Sequence, residues 1–214
     1  MSTSFSSAEA GFQPPHVSFT YDPEGNRKYL TLSERKRFIR AASSLEDTAV
    51  RAFCLLLAFS GARLSEISML TPRQIDLEAG MIVIRCLKKR HRPGFPPAYR
   101  AVPIPKFLLS EITSLIRMLE REQSERIWPW CRTTAWKRVK EVMRAADISG
   151  VQASPKGLRH GFAVGALVAG VPDITVMRWL GHARLETTMI YTEAIGAEAQ
   201  AIAKRMWEPL LPKK

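Results

Sequence analysis

The sequence reads as an α+β fold, mostly helical, with one small three-stranded antiparallel sheet. Two observations predict it. Apolar residues recur at helical spacing through most of residues 31–206. Between Gln74 and Ile104, three short strand-like segments lie close together, without the crossover helix that a parallel sheet needs. At 214 residues the chain suits one large domain or two small ones and can bury a core without staples.

Residues 1–30 are rich in Ser, Pro and Gly and lack a hydrophobic period; they read as a poorly ordered N-terminal arm. The folded unit is expected over 31–214. Thr31 and Glu34 have the spacing of a capping box, and Leu32, Phe38, Ile39 and Ala42 give the first helix its face. The next helix, Asp47 to Phe59, is apolar on most sides and should be central, with Gly61 ending it. A short helix over Leu64–Leu70 stops before Pro72.

The strand segments are Gln74–Leu77, Met81–Cys86 and Arg100–Ile104. Pro103 and Pro105 make the third an edge strand. Helices follow at Phe107–Gln123, Thr134–Ala146, Lys156–Ala169, Pro172–Leu180, Leu185–Thr192 and Ile195–Met206. The 134–146 helix sets Trp136, Val139, Met143 and Ala146 on one face and Lys137, Lys140 and Arg144 on the other. Trp128, Trp130 and Trp136 are expected in the core or an interface.

Charge narrows the function. The chain has 32 Lys+Arg against 20 Asp+Glu, a net +12. Residues 1–30 contribute −1, leaving +13 on the remaining 184. Such an excess points to a polyanionic partner, nucleic acid before a membrane surface. The segment from Arg85 to Arg100 holds six basic residues and no acid. No run approaches 18 uncharged apolar residues and no signal-peptide h-region follows Met1, so neither a membrane span nor secretion is expected. Cys54, Cys86 and Cys131 are odd in number and far apart. That fits a reducing cytosol, with nucleoid association the expected location.

Four pieces carry candidate chemistry. They are Gly61-Ala-Arg63-Leu-Ser65-Glu66, Lys88 or Lys89 after the second strand, Lys156-Gly-Leu158-Arg159-His160, and Leu180-Gly181-His182 with Tyr191 nine residues on. In this order and spacing the chain resembles the tyrosine recombinases of the phage-integrase family over roughly residues 31–206. The resemblance implies that family's DNA breaking-rejoining catalytic-domain fold and site-specific recombination of double-stranded DNA. It implies a tetramer on paired sites and a monomer when free, with the last helix docking on a neighbouring protomer or packing on its own domain.

The resemblance makes Tyr191 the nucleophile, Arg63 and Arg159 the phosphate clamps, and Lys88 the general acid, by its register after Ile84-Arg85. Lys156 and His182 assist. These residue types suit cutting of a phosphodiester by a protein nucleophile. A phenol attacks, planar guanidiniums take the charge that builds on the nonbridging oxygens, and an ammonium protonates the leaving oxygen. The sequence shows neither a carboxylate cluster suited to Mg²⁺ nor a Gly-rich phosphate loop, so transesterification without metal, ATP or other cofactor is expected. Glu66 orients a neighbouring basic group or is a solvated helix residue. His160 hydrogen-bonds beside the phosphate-binding residues or is a satisfied core histidine. Lys89, Arg90 and Arg92, with Lys137, Lys140 and Arg144, are expected to contact DNA.

Three departures from the family stand out. Lys156 occupies the place of the usual first histidine, a change that type IB topoisomerases, mechanistic relatives, share. The loop from Lys88 to Tyr99 is long and proline-rich. Only about 30 residues precede the first helix, where relatives place a helical domain of roughly 100 residues. The expectation is a catalytic domain alone, similar in layout to the short fimbrial phase-switch recombinases. The rival reading is a non-catalytic DNA-binding remnant that assists a full-length recombinase.

Overall fold

The computed structural model describes residues 20–87 and 97–182. Within them are seven α-helices and one three-stranded sheet. The first helix, α1 (Leu32–Ser43), has the expected capping box. Thr31 Oγ1 accepts from Glu34 N at 3.2 Å, and Glu34 Oε2 accepts from Thr31 N at 2.8 Å. Glu34 also takes Arg27 at 2.6 Å and Gln152 at 3.1 Å. Burial works against its charge, but these donors win and hold its carboxyl down at about 2.

Arg27 marks a difference from the sequence reading. Folded structure begins before Thr31. Tyr21 pairs with Arg27 across a tight turn, Thr20, Tyr29 and Leu30 are buried, and Leu30 N donates to Gly157 O at 3.1 Å. The polar, turn-rich composition of residues 20–30 hid this, because their order comes from tertiary docking.

Central helix α2 (Thr48–Ser60) starts at Asp47, whose side chain accepts from Val50 N at 3.0 Å. Phe53, Cys54, Leu56 and Ala58 have no exposure. Gly61 ends it at φ 60°, and a Cβ there would lie 2.3 Å from the Phe162 ring. Only glycine fits both the left-handed backbone and that contact. Helix α3 (Leu64–Ile67) is one turn, shorter than expected, and Pro72 opens a 3-10 turn to Gln74.

Strands β1 (Ile75–Asp76), β2 (Met81–Arg85) and β3 (Tyr99–Pro103) pair antiparallel in that order. Proline-bearing β3 is an edge, as expected. Ile82, Ile84 and Val102 point into the core. Arg100 lies opposite Ile84 and shares that buried face.

Helix α4 (Lys106–Met118) ends earlier than its periodicity suggests, where Glu120 turns to φ 51°. Trp128 is buried; its indole N–H donates to Ala49 O at 2.9 Å and its ring packs edge-on against Phe53. Helix α5 (Arg132–Ala145) buries Ala135, Val139, Val142 and Met143. Of the expected face Val139, Met143 and Ala146 are buried, but Trp136 is 46% exposed. Its ring lies 5.8 Å from Lys140 Nζ, a cation–π contact on the polar side. Helix α6 (Pro155–Val168), capped by Ser154, and α7 (Asp173–Leu180) complete the described fold. The helices expected at Leu185–Thr192 and Ile195–Met206 lie outside the described residues. Among the described residues no helix is long and apolar enough to cross a membrane.

Candidate active site

Three helix ends meet where the sequence motifs predict a site. The C-terminus of α2 delivers Gly61, Ala62 and Arg63; α6 delivers Lys156, Arg159 and His160; the C-terminus of α7 delivers Gly181 and His182.

Arg159 is buried, with 7% exposure. One terminal nitrogen donates to Gly61 O and the other to Leu180 O, both at 2.8 Å. Each carbonyl sits at a helix C-terminus, where the dipole is negative. The guanidinium is thereby held in place by two backbone carbonyls.

Arg63 is held differently. Its Nη1 donates to Glu66 Oε1 at 2.8 Å and its own N–H to Glu66 Oε2 at 2.9 Å. Glu66 is buried and also takes Arg100, at 2.6 Å through Oε2 and 3.2 Å through Oε1. One buried carboxylate thus serves two guanidiniums. Burial disfavours its charge, but the Arg100 hydrogen bonds and charge hold its carboxyl below the usual range. The same pair raises Arg100, again against burial.

Arg100 escapes the sequence reading as a site residue, because there it belongs only to a basic run. The signal lies in the strand alternation, which puts it on the face of Val102, where a cation needs a carboxylate. Its Nε also donates to Trp179 O at 2.7 Å, so it ties β3 and α3 to the last turn of α7. Gly181 follows at φ 67°, and a Cβ there would stand 3.0 Å from Arg100 Nη1.

His182 sits within this field of positive charge. Burial is the main cause that lowers its pKa, and Arg159, Arg63, His160 and Arg100 add to it, bringing it to about 3. Burial, then Lys156 and Arg159, lower His160 to about 4. Both imidazoles are therefore neutral at pH 7, each with one N–H to donate and one nitrogen to accept. Lys156 is exposed on the first turn of α6, one turn before His160.

Lys137 and Arg144 are exposed on α5, while Lys140 is half-buried and donates to Ala153 O at 2.6 Å. Lys88, Lys89, Arg90, Arg92 and Tyr191 lie outside the described residues. Among the described residues no three His, Cys, Asp or Glu side chains come together as a metal site. Arg63, Arg159 and Arg100 all stand near enough to His182 for their charges to act on its imidazole.

Residues 28–197 match the family model described as the phage integrase family. The chain is 32% identical over 189 residues to tyrosine recombinase XerA of Thermococcus kodakarensis, covering 85% of this chain and 61% of that protein. It is 30% identical over 194 residues to XerA of Pyrococcus furiosus, covering 86% and 63%. The chain thus spans about three-fifths of the length of these curated relatives.

Among solved structures, a XerA recombinase superposes with TM-score 0.67 at 26% identity, over 87% of this chain and 66% of that one. The catalytic domain of bacteriophage HP1 integrase shares the fold, with TM-score 0.55 at 22% identity over 82% of this chain and 93% of that one.

Proposed function

The chain belongs to the phage integrase family, and on that premise we propose that it cuts and rejoins double-stranded DNA as a site-specific recombinase. The observation that supports this most is the convergence of Arg63, Arg159 and His182, two guanidiniums and an imidazole, at the ends of α2, α6 and α7.

In this reading Arg63 and Arg159 bind the nonbridging oxygens of one DNA phosphate. They stabilise the charge that grows as the phosphorus becomes five-coordinate. The Tyr191 phenol gives up its proton to solvent as its oxygen bonds to phosphorus, and the bond to the 5′ oxygen breaks, leaving a 3′-phosphotyrosyl link. Lys88 protonates the departing 5′ oxygen. His182 hydrogen-bonds the phosphate as a neutral donor, and Lys156 adds positive charge at its edge. A 5′ hydroxyl from a partner strand then reverses the step. One phosphoester replaces another at each stage, so no external energy source is required. The working form is a tetramer on two DNA sites.

Nicked suicide duplexes test the reading, because they trap the covalent link. A protein–DNA adduct should appear on a denaturing gel and vanish in Tyr191→Phe. An adduct that persists in Tyr191→Phe excludes Tyr191 as nucleophile. Binding without any adduct across a randomised set of sites favours the non-catalytic DNA-binding remnant.

A further inference from the structure

On the outer face of the sheet, beside Glu66, lies an open cleft of about 460 Å³. Three arginines line it, each from a different element: Arg73 from the 3-10 turn, Arg85 from the end of β2, and Arg126 from the segment between α4 and α5. All three are exposed. Among the described residues none of the three faces a carboxylate within ion-pair distance, whereas Arg27, Arg51, Arg63, Arg100, Arg121 and Arg138 all do. The acidic residue at the cleft, Glu66, already serves Arg63 and Arg100.

The frame that carries these arginines is fixed. Gln74 Oε1 accepts from Thr71 N and Oγ1 at 3.0 and 3.1 Å, while its Nε2 donates to Val83 O at 2.6 Å. That ties the 3-10 turn to β2. Ile127 N donates to Leu70 O at 2.9 Å and Arg73 N to Gln123 O at 3.4 Å, which ties down the segment bearing Arg126. Three like charges held around one cleft repel one another until an anion enters, and planar guanidiniums pair best with the oxygens of a phosphate. Exposed guanidiniums spread around an open cleft suit contacts to backbone phosphates, which carry no sequence information.

We propose that this cleft grips the sugar–phosphate backbone of the bound DNA at a phosphate other than the one being cut. The inference rests on the DNA strand-transfer reading and extends it. Glu66 lines the cleft and also holds Arg63, so a strand laid across the cleft continues toward the phosphate-binding arginines. The grip sets affinity and register and is independent of sequence.

The test compares the full chain carrying Arg73→Gln, Arg85→Gln and Arg126→Gln with a control of equal charge loss, Lys36→Gln, Arg40→Gln and Lys106→Gln. The probe is a mixed-sequence duplex whose binding is measured against salt. The cleft variant should bind more weakly than the control, with a log–log salt slope shallower by about 0.9 for each phosphate that is no longer neutralised. In the unsubstituted protein, phenylglyoxal labelling read by mass spectrometry should be slowed at Arg73, Arg85 and Arg126 when the duplex is present.

A control-like slope together with unprotected arginines overturns the cleft while Tyr191-dependent adducts leave the enzymatic reading standing. Failure of the protein to bind duplex at all overturns both. A poly-glutamate peptide that binds through these arginines, and that the duplex does not displace, moves the cleft to an acidic protein partner and overturns the DNA assignment.

Discussion

Glu66 meets Arg100 through hydrogen bonds of 2.6 and 3.2 Å, and neither side chain is more than 6% exposed. A buried ion pair is a modest source of stability when intact, but removing one member strands the other charge. Glu66→Gln should therefore cost about 3–5 kcal/mol of unfolding free energy, read from the urea midpoint. Glu66→Gln with Arg100→Met should recover part of that loss. A single variant as stable as the parent would show that Arg100 finds another partner.

Gly181 tests the junction between α7 and His182. Its φ of 67° is costly for a residue with a Cβ, by about 1–2 kcal/mol, and the new methyl also presses on Arg100. Gly181→Ala should lower stability by that amount and lower adduct formation further, because His182 follows directly. Gly181→Asn tolerates the backbone better and should fall between the two. Equal activity in all three proteins would show that this turn does not aim the imidazole.

The two histidines set an acid limit. Their folded values, about 3 for His182 and about 4 for His160, lie below the ordinary 6.5. The unfolded chain therefore binds more protons below pH 6.5, and stability falls as pH drops. Glu34, held at about 2, adds to the loss only below its ordinary 4.5. Between pH 6.5 and 4.5 the decline belongs to the imidazoles. His160→Gln and His182→Gln should each flatten the urea midpoint against pH in that window. Unchanged curves in both would place these side chains in water.

Lys156 separates chemistry from packing. The side chain is exposed, so Lys156→His and Lys156→Gln should each shift stability by no more than about 0.5 kcal/mol. Adduct formation should drop in Lys156→Gln at every pH. In Lys156→His it should gain a dependence near pH 6–7, where an exposed imidazole titrates. A pH-independent rate in Lys156→His would remove position 156 from the phosphate's surroundings.

The helices are legible wherever local signals and burial agree. Thr31 with Glu34 and Asp47 with Val50 are caps read directly from neighbouring residues. The site motifs are legible for the same reason, since Arg63 with Glu66 and Arg159 with His160 lie within one turn. Arg100 is not, because its meaning depends on Glu66, 34 residues away. Residues 20–30 are hidden by polar composition, although Leu30 docks on Gly157. Trp136 deceives by its type: a large aromatic usually seeks the core, but this one lies on the solvent face beside Lys140.

The hydrogen bonds that hold Arg159 reach across 98 residues to Gly61 and 21 to Leu180, and those of Arg100 reach across 34 and 79. Interactions of such long sequence separation form late, after the loops between them have closed. A chain still emerging from synthesis, or one that has opened locally, keeps its net positive charge but lacks the contacts that fix Arg159 and Arg100. Completion of folding is thus what turns a diffuse positive charge into a fixed arrangement of guanidiniums.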